Sequence, residues 1–221
     1  MSDFATARRK MVDGQVRPSD VTDIRIIEAM LAVPRELFVP QSLRALAYLD
    51  LDLDVSEGRS TRRFLLRPAV TAKMLQAASI SDTDEVLVVG CASGYLAALA
   101  ASLAKRVTAT ESDPSLAAKA NASLVSLGLK DIPVKTAAPA EGDSQSAPFD
   151  VIILNGATEI APETLYRQLK DGGRLVGAFG VTRPQRMMMV TSSHGDFGHR
   201  ALFDTEIPVL PGLERSAAFV F

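Results

Sequence analysis

Residues 86–104 read VLVVGCASGYLAALAASLA, an apolar run, a turn holding Gly90, Ala92 and Gly94, and an alanine-rich segment. Glycines between a strand and a helix let the backbone approach a ligand closely and aim free helix N–H groups at it, which is the chemistry of a cofactor cradle. Glu111 closes the next β-branched run, RVTATE. It lies about 20 residues further on, where a carboxylate can accept hydrogen bonds from ribose hydroxyls. A plainer role stays open: Gly90 and Gly94 can simply make a tight strand-to-helix turn. Arg59, Arg62, Arg63 and Arg67 crowd the stretch GRSTRRFLLRP. Guanidinium forks suit carboxylate and phosphate, so an anionic ligand or acidic peptide is one reading of them. A solvated charge run is the other, paired with Asp50, Asp52 and Asp54 of LDLDLD, whose alternation would place three carboxylates on one face of a strand. Such carboxylates without a His, Asn or Gly-turn context do not predict a metal site. Cys91 sits in the turn, but no base accompanies it, which favours a small space-filling side chain over an activated thiol. His194 and His199, beside glycines in SSHGDFGHR, predict a turn between two late strands.

Strands and helices in alternation must position these groups. EVLVVG, RVTATE, IPVKT, FDVIILN and GRLVGAFG read as strands, and the mostly apolar ones suit a parallel sheet covered on both faces. Asp113 before Pro114 is a helix start, and PSLAAKANASLVSLG closes on Gly128. Pro162 opens a second helix, PETLYRQLKDGG, ended by its glycines. This rhythm predicts a doubly wound α/β fold. Residues 1–80 are instead helical patterns broken at Pro18, Pro34 and Pro40, with strand alternation only at residues 49–55. They read as a helical cap and acceptor-side loop on a core formed by residues 81–221, in one domain. RMMMV reads as a buried strand, and ALFDTEIPVL with SAAFVF as a C-terminal hairpin.

Composition narrows the function classes. With 47% hydrophobic residues a single core is well supplied. No run of about 18 apolar residues suggests a membrane span. Lys and Arg number 24 against 26 Asp and Glu, so the overall field predicts neither nucleic acid nor an anionic membrane as partner. One cysteine cannot form an internal disulfide, and the N-terminus lacks a secretory pattern. Both point to a soluble, cytoplasmic protein.

A more specific signal lies in the cap. AMLAVPRELFVPQSLRALAYLD, with its Val-Pro-Arg-Glu, Phe-Val-Pro and Ala-Tyr-x-Asp segments, resembles the N-terminal signature of the protein-L-isoaspartate O-methyltransferase family. SGYLAALAA, APFDVIIL and QLKDGGRLV continue the resemblance in register from about residue 10 to residue 180. It implies a Rossmann-like S-adenosylmethionine-dependent methyltransferase fold, mostly parallel with a C-terminal antiparallel hairpin. It also implies methylation of the carboxyl group of L-isoaspartyl residues in damaged proteins, with an isoaspartyl-containing or acidic peptide as partner.

Carried over residue by residue, the resemblance places the cofactor at Gly90, Ala92, Ser93, Gly94, Glu111 and Ala138. Here the chain departs from the pattern. The acidic position on the first strand is Val88, the middle glycine is Ala92, and the family's Gly-Asp-Gly falls on Ala137, Ala138 and Pro139. The acceptor loop, Gly-Gln-Thr-Ile-Ser-Gln-Pro in the family, is longer here. Its Ser-Gln pair falls on Leu66 and Arg67 or on Arg62 and Arg63, leaving Ser60 and Thr61 as the hydroxyl candidates. These departures argue for weak or lost cofactor binding and against isoaspartyl repair. They leave two readings: a divergent methyltransferase, or a catalytically silent methyltransferase-like scaffold that binds a protein or anionic partner.

Overall fold

The computed structural model describes residues 3–58, 61–181 and 183–216. A seven-stranded sheet runs in the order β5-β4-β3-β6-β7-β8-β9. Its parallel part comprises β3 (Glu85–Val89), β4 (Arg106–Glu111), β5 (Val134–Thr136), β6 (Phe149–Thr158) and β7 (Leu169–Phe179). β8 (Arg186–Ser193) pairs antiparallel with β7, and β9 (Asp196–Asp204) antiparallel with β8. A two-stranded arm, β1 (Leu53–Asp54) with β2 (Phe64–Leu65), stands apart.

Strand alternation divides the core between the two faces of the sheet. Leu87 and Val89 point into a cluster with Leu154, Leu165, Leu210 and Leu213. Val86 and Val88 point the other way, among Met11, Ile26, Met30, Phe38, Met74 and Leu99. That second cluster joins the sheet to the cap helices α1 (Phe4–Met11), α2 (Ile24–Ala32) and α3 (Pro68–Ala78) and to α4 (Tyr95–Ala101). Helix starts follow local chemistry: the Asp113 carboxylate accepts from the N–H groups of Ser115 and Leu116 to open α5 (Pro114–Ser126). Arg35, in the cap's Val-Pro-Arg segment, is fully buried over the Tyr95 ring, donating to the carbonyls of Ala47 and Leu66.

Two expected elements differ. PETLYRQLKDGG forms only one helical turn, α6 (Glu163–Tyr166), because Leu169 pairs with Phe149 and draws the following residues into β7. In LDLDLD only Leu53 and Asp54 are strand, and Leu49 and Leu51 are about half exposed, so the alternation does not mark a long strand face. The C-terminal antiparallel hairpin is β8 with β9, and ALFD ends β9; the pairing expected for SAAFVF falls on residues 217–221, which lie outside the described residues. The hairpin turn falls at His194 and Gly195, both at positive φ, while His199 lies inside β9.

Candidate functional site

Where β3 ends, the chain turns through Gly90 (φ +67°), Ala92 (φ +51°) and Gly94 (φ +97°) before α4 begins at Tyr95. A Cβ at Gly94 would meet the Ala120 Cβ at 3.4 Å, so this glycine also allows α5 to pack close. Cys91 is buried, and burial, then the charge of Glu111, pushes its thiol pKa up, away from thiolate character. Ser93 is likewise buried, its hydroxyl without a hydrogen-bond partner.

Glu111 ends β4 facing this turn with no exposed surface. Its oxygens accept from the Ala92 N–H at 2.8 Å, the Ser112 N–H at 2.8 Å and hydroxyl at 3.1 Å, and the Asp113 N–H at 3.3 Å. The remaining donor is Arg63, whose Nε lies 3.2 Å from both oxygens and whose Nη2 lies 3.1 Å from Oε2. The same Nη2 donates to the Gly90 carbonyl at 2.5 Å, which also accepts from the Asn155 amide at 3.0 Å. Arg63 and Glu111 thus form a buried ion pair, with side chains 4% and 0% exposed, laid across the glycine turn.

A second group reaches the same place from the far end of the chain. Beyond β9 the backbone returns along the end of β6: Ala157 N–H donates to the Pro208 carbonyl and Leu210 N–H to the Ala157 carbonyl, each at 2.8 Å. Leu210 is thereby pressed over Gly156 and Gly90; a Cβ on Gly90 would meet the Leu210 Cδ2 at 2.7 Å and the Arg63 Nη2 at 2.6 Å. Outside the strand ends of β6 and β7 lies an open cleft of about 890 Å³, with Asp52, Glu159, Arg183, Asp204 and Glu206 in its wall.

The model of the protein-L-isoaspartate(D-aspartate) O-methyltransferase family matches residues 7–206. The chain belongs to this family. A protein-L-isoaspartate O-methyltransferase 1 of Syntrophobacter fumaroxidans is 36% identical over 91% of this chain and 92% of its own. One of Koribacter versatilis is also 36% identical, over 96% and 94%. Among solved structures, a protein-L-isoaspartate O-methyltransferase superposes with a TM-score of 0.84 at 22% identity, covering 94% of this chain and 67% of the other. A Plasmodium falciparum protein described as a member of the same group, in complex with S-adenosyl-L-homocysteine, superposes at 0.77 with 17% identity, over 95% and 99%. These likenesses bear out the Rossmann-like methyltransferase fold, and the chain is a protein-L-isoaspartate O-methyltransferase-like protein.

Against the family's cofactor, the cradle as arranged does not fit. Glu111 has no lone pair facing open space, Gly90 is covered by Arg63 and Leu210, and Val88 lies wholly in the apolar core of the cap-side face. The structure brings Gly90, Ala92, Ser93, Gly94 and Glu111 together. Ala138 is exposed after β5, where the preceding Ala137 N–H meets the Glu111 carbonyl. Thr61 is half-buried, and Arg59 and Ser60 lie outside the described residues. The arginines divide: Arg62 pairs with Asp54 at 2.9 Å, Arg67 takes Asp52 through its backbone N–H at 2.7 Å, and Arg63 turns inward. Sequence reasoning missed Arg63, Asn155 and Leu210 as parts of the site. Asn155, ending the FDVIILN strand, was in principle readable from its strand-end place. Neither of the others carries a local signal, because Glu111 lies 48 residues from Arg63.

Proposed function

We propose that the chain is a divergent protein-L-isoaspartate O-methyltransferase-like protein in which S-adenosylmethionine binding is weak or lost, and whose cleft receives polypeptide. The partner class is that of the relatives' names, an isoaspartyl-containing polypeptide; the acidic peptide expected from the sequence does not suit the cleft beyond β6 and β7, whose wall carries Asp52, Glu159, Asp204 and Glu206 against Arg183. The observation carrying this reading is the engagement of Glu111, the one acidic cofactor position that the chain keeps, by Arg63 and neighbouring backbone. Val88 and Ala138 supply no polar group in place of the others, and each missing charge-assisted hydrogen bond is worth about 1.5–3 kcal/mol. A single methyltransferase-like domain in the cytoplasm suits one buried thiol and the absence, among the described residues, of a helix long and apolar enough to cross a membrane.

Calorimetric titration with S-adenosylmethionine tests this, with an expected dissociation constant from about tens of micromolar to millimolar. A submicromolar value would overturn it. Labelled cofactor should transfer no methyl groups to an isoaspartyl peptide above background, since an error of about 1 Å in placing the acceptor can lower the rate a hundredfold.

One observation favours the other reading, a methyl-transferring enzyme with an altered acceptor. The turn keeps its left-handed residues and Glu111 its strand-end place, so movement of Arg63 with Leu210 would bare the cradle. Ser60 and Thr61 are then the hydroxyls whose replacement by Ala should lower transfer.

A further inference from the structure

We infer that Arg63 is an internal occupant of the cofactor place, whose guanidinium takes the hydrogen bonds a ribose would need and so excludes nucleosides from this chain's cradle. This rests on the proposed reading and deepens it by naming the residue responsible. Its backbone is held firmly: Arg63 N–H donates to the Ser56 hydroxyl at 2.6 Å, and Val55 N–H donates to the Arg63 carbonyl at 2.8 Å. The side chain is therefore launched from a fixed point beside the β1–β2 arm and reaches Glu111 and the Gly90 carbonyl with two nitrogens. A ribose diol offers this carboxylate two neutral donors, charge-assisted through the acceptor alone, whereas the guanidinium fork adds a full counter-charge held in fixed geometry. Moving Arg63 would also separate a buried ion pair and withdraw its guanidinium from over Gly90. Arg62, next in the chain, shows the alternative, since its guanidinium lies on the surface with Asp54.

The test titrates S-adenosylhomocysteine into the full chain and into Arg63→Ala and Leu210→Ala, with circular dichroism and thermal melting to establish folding. Glu111 keeps its bonds to Ala92, Ser112 and Asp113 in Arg63→Ala, which favours a folded variant. The unmodified chain should show no saturation below about 10 μM, Arg63→Ala should bind about tenfold tighter or better, and Leu210→Ala alone should change little. If the unmodified chain binds weakly and folded Arg63→Ala binds no tighter, the inference fails while the proposed function stands. Submicromolar binding by the unmodified chain defeats the proposed function itself. Should Arg63→Ala not fold, nitrogen-15 spectra of the unmodified chain's arginines decide. A slowly exchanging Arg63 Nε–H, either unchanged where no ligand binds or lost as ligand saturates, supports competition. Ligand saturation with that signal retained, or a rapidly exchanging Nε–H in the free chain, overturns it.

Discussion

Arg62 and Arg63 are adjacent in sequence and opposite in physical consequence. Arg62 meets Asp54 with side chains 68% and 35% exposed, where water screens the pair; Arg63 meets Glu111 where almost no water reaches. Arg62→Ala should change stability by no more than about 1 kcal/mol. Glu111→Ala should cost about 3–5 kcal/mol, because it leaves a buried guanidinium without its counter-charge. Urea unfolding at neutral pH reads both, and equal effects would contradict the difference in burial. Arg63→Ala should fall between them, since four donor groups still serve the carboxylate.

At the scale of elements, β3 decides what the cradle can hold. Its side chains alternate between two apolar clusters, and Val88 falls on the face covered by the cap, with no exposed surface. Restoring an acidic residue there does not by itself restore a cofactor contact. Val88→Asp should lower stability by about 3 kcal/mol or more, an unpaired charge in apolar surroundings, and Ala138→Asp, being exposed, should be within about 0.5 kcal/mol of neutral. Thermal melts of the two single variants check the contrast. The adjoining turn buries Cys91 and burial raises its pKa, so a thiol reagent should label the native chain slowly and the urea-unfolded chain fast.

For the whole molecule, carboxylates in ion pairs link stability to pH. Burial works against the charge of Asp143, but the Lys135 ammonium at 2.7 Å and the Ser146 hydroxyl outweigh it. Burial likewise opposes the charge of Asp150, and the Glu85 N–H and Lys170, each at 2.8 Å, outweigh it. Both pKa values lie below the ordinary 3.8, so their contribution is present above that value and is lost as pH falls through the folded values. The urea midpoint should stay level for this reason from about pH 7 to about pH 5 and decline below about pH 4. Lys135→Met should soften that decline.

How much of this was readable without coordinates follows from the range of each interaction. The five parallel strands, the Asp113 cap on α5 and the glycine turn rest on local periodicity and local hydrogen bonds, so β-branched runs, Asp-Pro and Gly sufficed to foresee them. The family resemblance rests on signatures such as Val-Pro-Arg-Glu, whose Arg35 proves to be a buried packing residue. The short α6 shows where periodicity misleads: an apolar spacing that suits a helix gave way to pairing between Leu169 and Phe149. Composition and spacing also placed Glu111 at the end of a strand facing the turn. They left open what Glu111 would meet, since Arg63 and Leu210 approach from remote segments. A run of arginines looks the same in sequence whether a guanidinium is solvated or buried. Only the packing of the β1–β2 arm and of residues 205–213 against the sheet decides that this one lies in the cradle.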